Sequence, residues 1–106
     1  MKLISASSLL FLGMNAFANP HYDEALKHAT AAAQAGDSTK IIEHTLPALE
    51  HTMAGALTAK GLTRTHAQEA TKALETALDL AKNKKAEDAS ASVKSAVEHL
   101  KVANKK

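Results

Sequence analysis

Apolar residues recur at helical spacing over most of the chain, and four segments can be traced from that pattern alone. In the first, Tyr22, Leu26, Ala29 and Ala33 form one stripe, with Asn19 as a cap and Pro20 at the first helical position, where its missing N–H costs nothing. Gly36 ends this segment, and Asp37-Ser38 can cap the next. The second segment carries Ile42, Leu46, Leu49, Met53 and Leu57 on one face, with Pro47 inside the pattern and a kink expected near Glu43 to Pro47. Gly61 closes it. Thr65 with Gln68 three residues on reads as a capping box for the third segment, whose stripe is Ala70, Leu74, Ala77, Leu78 and Ala81. A polar turn, Asn83-Lys84-Lys85, leads to a fourth with Ala89, Val93, Ala96, Val97 and Leu100, then a basic tail, Asn104 to Lys106, expected to fray. Four amphipathic helices with short connections predict an all-α, up-down-up-down four-helix bundle made of two helical hairpins.

The chain before the first stripe has another character. Lys2, the apolar run Leu3 to Met14 and the triplet Ala16-Phe17-Ala18 read as a secretory signal peptide with its cleavage site, covering residues 1–18. The run is too short and serine-interrupted to span a bilayer well. Residues 19–106 are then the bundle domain, without a membrane segment after cleavage. Of thirteen basic residues Lys2 falls in the leader, leaving a surplus of one over the eleven acids. Lysines and glutamates interleave, as on solvated helix faces, so the charge implies no nucleic-acid partner. The absence of cysteine excludes disulfides, thiolate metal sites and covalently attached c-type haem. Export without disulfides leans towards a bacterial periplasm. Tyr22 is the domain's sole aromatic residue, so its core is built from alanine and aliphatic side chains.

The candidate chemistry lies in six histidines. His21 and His28 are seven residues apart, as are His44 and His51, so each pair projects from nearly one side of a helix. A hairpin folding at Gly36 brings His21 level with His51 and His28 level with His44. A second hairpin folding at Asn83-Lys84 brings His66 level with His99. Seven residues of helix rise about 10.5 Å, whereas metal–imidazole bonds are about 2.0–2.1 Å. Members of one pair therefore cannot ligate the same ion, and each site needs a ligand from elsewhere. Glu24, three residues after His21 and four before His28, is one source; the level histidine across the turn is the other. Against the apolar stripes above, His21 and His28 lie to one side of the first helix, and His44 and His51 lie nearly opposite the stripe of the second. Bridging across the hairpin thus requires the second helix to be rotated or kinked at Pro47.

Glu-x-x-His and His-Glu-x-x-His motifs, glycine-rich phosphate loops and nucleophile elbows are all absent. The segments HYDEALKH, IIEHTLPALEH, THAQEATKALETALDLAK and SAVEHLKVA resemble the repeats of the small periplasmic metal-binding proteins called SmbP. That resemblance implies a monomeric, non-catalytic four-helix bundle binding several divalent transition-metal ions, with His21, His28, His44, His51, His66 and His99 at matching positions. Where relatives carry further histidines, this chain has Ala73, Leu80 and Ser95. Imidazole and carboxylate donors suit Cu(II), Ni(II) and Zn(II), with Cu(II) tightest. An imidazole ligates only when neutral, so affinity is expected to fall as pH drops through about 6.5. The alternative is an envelope interaction or structural bundle without physiological metal. Haem held by Met53 and His99 is a third and less favoured reading, since there is little aromatic lining for a porphyrin.

Overall fold

The computed structural model describes residues 19–105. The leader expected at 1–18, and Lys106, lie outside the described residues. Four helices follow one another: α1 (Pro20–Gln34), α2 (Ser38–Ala56), α3 (Gly61–Lys82) and α4 (Ala86–Ala103). Among the described residues there is no strand. Helix α1 packs against α2 and α4, α3 packs against the same two, and only a slight contact crosses the bundle between α2 and α4. This is the ring order of two hairpins closed on each other, the four-helix bundle expected.

Local chemistry explains most of the helix ends. The Asn19 side chain accepts from the His21 N–H at 2.8 Å, with Pro20 opening α1. Asp37 caps α2 by accepting from the Lys40 N–H at 3.0 Å. The third helix departs from expectation. It starts at Gly61, which holds φ +60°, and Thr65 lies one turn inside it, donating to the Gly61 carbonyl at 3.3 Å. The box at Thr65 is therefore not the start. Glycine, free of a Cβ, lets the chain reverse four residues earlier, and the connection from α2 shortens to Leu57–Lys60.

The turn after α3 is a Schellman motif: the Lys84 N–H donates to the Ala81 carbonyl at 2.9 Å and the Lys85 N–H to the Leu80 carbonyl at 2.9 Å. Its left-handed residue is Lys84, at φ 63°. A side chain is disfavoured there, so Lys84→Gly is expected to raise stability by about 0.5–1 kcal/mol. Urea denaturation checks this, and a lower midpoint in the variant contradicts it.

The buried core is mostly alanine, with Tyr22, Ile41, Leu74, Val93 and Leu100 as its large members. The expected stripes of α3 and α4 are the buried faces, with Val97 half-buried. In α2 the expectation fails. The buried residues are Ile41, Thr45, Ala48, Thr52 and Gly55, while Leu46 is 47% exposed, Met53 44% and Leu57 82%. At 100° per residue the helix is turned by roughly 120° from its most hydrophobic face. The reason is close approach. The Tyr22 ring lies against Gly55, where an added Cβ would stand 2.6 Å from Cε1. Thr52 keeps its hydroxyl satisfied by donating to the Ala48 carbonyl at 2.7 Å. A face of small side chains brings α2 onto the aromatic ring of α1, which its leucines would prevent. Helix α2 runs unbroken through Pro47, so the small-residue face, not a break at Pro47, sets this rotation.

Candidate metal centre

The rotation of α2 decides where its histidines go. Measured from the centre of each helix's buried face, His21, His28, His44, His51, His66 and His99 all lie roughly 60–80° away at 100° per residue. They occupy the flanks, where one helix faces its neighbour across a groove. All are half-buried except His21, which is exposed.

In the groove between α1 and α2, His21 Nδ1 and His51 Nδ1 stand 3.2 Å apart, a hydrogen bond in which one neutral ring donates and the other accepts. The His28 ring stacks on His51 with centroids 6.0 Å apart and planes 3° from parallel. Glu24 completes the cluster. One carboxylate oxygen lies 3.9 Å from His28 Nε2, and the other accepts from Lys27 Nζ at 3.4 Å. Ligand atoms of Glu24, His28 and His51 all fall within 4.8 Å of one another. His51 is thus shared, paired with His21 on one side and with His28 and Glu24 on the other.

The level pairing of His28 with His44 does not occur, and His44 joins no histidine ring pair among the described residues. Helical side chains lean towards their own N-terminus, which in an antiparallel pair carries His28 and His51 towards each other, and the His28 ring stacks on His51.

Beneath this groove, Tyr22 is buried and its hydroxyl has no protein partner. Burial pushes its phenol above the usual value of 10.0. It supports the wall on which the histidines stand, and its partner there is Gly55. At the same end of the bundle the Asn104 amide donates to Asp23 Oδ1 at 2.8 Å, tying the end of α4 to the start of α1.

On the second hairpin His66 Nδ1 and His99 Nδ1 stand 3.0 Å apart, as the level-pair arithmetic predicts. Met53 lies on the exposed face of α2 while His99 is engaged by His66, so Met53 and His99 do not converge as an axial pair.

Donors of one chemical kind, gathered across helices whose sequences share the repeat, agree with the comparison to known proteins. The family model described as "Small metal-binding protein" matches residues 1–103. The chain belongs to the small metal-binding protein family. No curated protein and no solved structure matches it. For a small metal-binding protein the donor set is chemically apt. Imidazoles and a carboxylate, with no thiol anywhere in the chain, are borderline and hard donors for divalent ions. The family resemblance read from the repeats therefore stands, as does the helical bundle. Of the two ligand sources the sequence offers His28, Glu24 stands beside it, while the histidine across the turn is His51 and not the level His44.

Proposed function

We propose that this small metal-binding protein is an exported, non-catalytic periplasmic bundle that reversibly binds or sequesters Cu(II), Ni(II) or Zn(II). Its primary site is the groove between α1 and α2. The observation that carries this reading is the convergence of Glu24, His28 and His51 ligand atoms within 4.8 Å, with His21 hydrogen-bonded to His51. Two imidazoles, from His28 and His51, and the Glu24 carboxylate supply three ligands to a divalent ion, with a fourth position left for water. Cu(II) binds tightest by the usual order of divalent affinities. Periplasmic export and monomeric state rest on the leader-like residues 1–18 and on the resemblance of the repeats.

An ion held between α1 and α2 binds the folded chain and not the unfolded one. The stabilisation is then about 2.7 kcal/mol when free ion is a hundredfold above its dissociation constant. Thermal unfolding followed by circular dichroism, with and without Cu(II) at neutral pH, is expected to show a rise in Tm that grows with metal concentration. An unchanged Tm, together with no calorimetric binding, contradicts the reading.

One observation favours a second reading, an envelope interaction module. Leu57 is 82% exposed and Leu62 76%, alongside the half-exposed Leu46 and Met53. Metal-independent self-association that is lost in Leu57→Ser/Leu62→Ser would favour it.

A further inference from the structure

One end of the bundle gathers cations and exposed apolar side chains together. Asn104, just past α4, donates to Asp23 near the start of α1, the Tyr22 ring lies against Gly55 near the end of α2, and α3 begins at Gly61. The connection from α2 to α3 and the tail after α4 therefore share that end. Between Glu50 and Glu69 the chain has no acidic residue, and after Glu98 it has none. The connection and first turn of α3 carry Lys60 and Arg64, both exposed and in no ion pair among the described residues. The end of α4 adds Lys101 and Lys105, of which only Lys101 meets a carboxylate, Glu98 at 3.6 Å. Leu57 and Leu62 stand on either side of Lys60 and are the two most exposed large apolar residues among those described. At the opposite end, Lys82, Lys84 and Lys85 are interspersed with Asp79, Glu87 and Asp88, and no large apolar side chain is exposed.

We propose that this end docks the protein on an anionic lipid surface, with Leu57 and Leu62 entering the headgroup layer and Lys60 and Arg64 against its phosphates. This names a partner for the exposed leucines of the envelope reading and rests on export of the chain, not on the histidine groove. Exposed leucines alone do not identify an occupant, and the charge around them does. A second copy meeting this end would set like charges against each other. A phosphate surface complements them. The two leucines protrude from a chain reversal, and protruding side chains enter a soft headgroup layer without needing a shaped pocket. No helix among the described residues is long and apolar enough to cross a membrane, so the contact is peripheral. Such binding is the sum of apolar burial and attraction to anionic lipid. Burying a leucine is worth about tenfold or more in partition, and each cation at the surface about fivefold. Docking therefore draws on both, is reversible, and weakens as salt screens the charges.

The test is flotation with vesicles of phosphatidylglycerol and phosphatidylethanolamine, with EDTA present so that no divalent ion bridges protein and headgroup. The chain used is residues 19–106, which holds all four helices and the whole buried core. It is expected to float with these vesicles and not with pure phosphatidylcholine, and to be released by salt. Leu57→Ser/Leu62→Ser is expected to lower the partition coefficient about a hundredfold. Lys60→Glu/Arg64→Glu is expected to lower it at least as much. Lys82→Glu/Lys85→Glu changes the net charge equally at the opposite end and is expected to leave binding near the unaltered level. Circular dichroism confirms that the variants keep their helices. Equal losses from the two charge reversals would mean attraction by net charge alone and overturn the docking end. Equal binding to phosphatidylcholine overturns the anionic partner. Absence from every vesicle, with self-association that Leu57→Ser/Leu62→Ser removes, overturns the lipid surface and leaves the envelope reading standing. Absence of both overturns the two together, and metal binding by the groove is read separately by calorimetry.

Discussion

Replacing His51 with alanine is expected to lower first-site metal affinity more than replacing any other single histidine. His51 is the one residue that touches both halves of the cluster: its Nδ1 stands 3.2 Å from His21 Nδ1, and its ring stacks on His28 beside Glu24. Removing it leaves only donors from α1. There His21 and His28 are separated by about 10.5 Å of helix rise, too far for one ion. Loss of a mere supporting partner of a ligand typically costs 10–100-fold in affinity, and loss of a shared ligand is expected to exceed that. His44→Ala, by contrast, is expected to leave affinity unchanged, since His44 pairs with no ring of the cluster and is not among its converging ligands. Calorimetric titration with Zn(II), in a chain also carrying His99→Ala, isolates the first groove. Equal effects of His44→Ala and His51→Ala would place His44 in the site and contradict this assignment.

The second large effect is structural. Gly55→Val is expected to destabilise the bundle by about 1–3 kcal/mol, the usual cost of overpacking. For a domain of this size that is a Tm loss of about 4–8 °C for each kcal/mol. A Cβ at Gly55 already meets Tyr22 Cε1 at 2.6 Å and Cζ at 2.9 Å, and those atoms belong to a ring that is 1% exposed. Something must move, and the elements free to part are α1 and α2. Separation of those helices pulls His51 from His21 and His28, so first-site affinity falls along with Tm while the His66–His99 pair is untouched. Gly36→Ala is the control, because a Cβ there meets nothing within 4 Å. A Gly55→Val chain as stable as the wild type would mean that close approach does not set the rotation of α2.

Much of the fold was legible because local chemistry marks several helix ends and two of the stripes. Asn19-Pro20, Asp37 and the Asn83–Lys85 turn mark element ends by local chemistry. The alanine-leucine stripes of α3 and α4 coincide with their buried faces. Helix α2 was misread because hydrophobicity and close packing choose different faces. Its leucines and Met53 are the more apolar row, whereas Thr45, Ala48, Thr52 and Gly55 are the row small enough to meet Tyr22. Gly61 was read as the end of α2, yet its positive φ makes it the start of α3. In the site, Glu24 and the His21–His51 and His66–His99 pairs followed from spacing and hairpin arithmetic. The exchange of His44 for His51 as the partner of His28 did not, because level Cα atoms say nothing of which way helical side chains lean.

The central claim is that one groove joins Glu24, His28 and His51 around a single ion, with His21 hydrogen-bonded to His51, and leaves His44 out. Long-range proton–nitrogen NMR of the imidazoles during addition of Zn(II) reads all six histidines separately. The account predicts that the first equivalent moves the ring nitrogens of His28 and His51 together, with His21 following through its hydrogen bond, while His44 keeps its metal-free position. Movement of His44 in step with His28, or of His28 without His51, contradicts it.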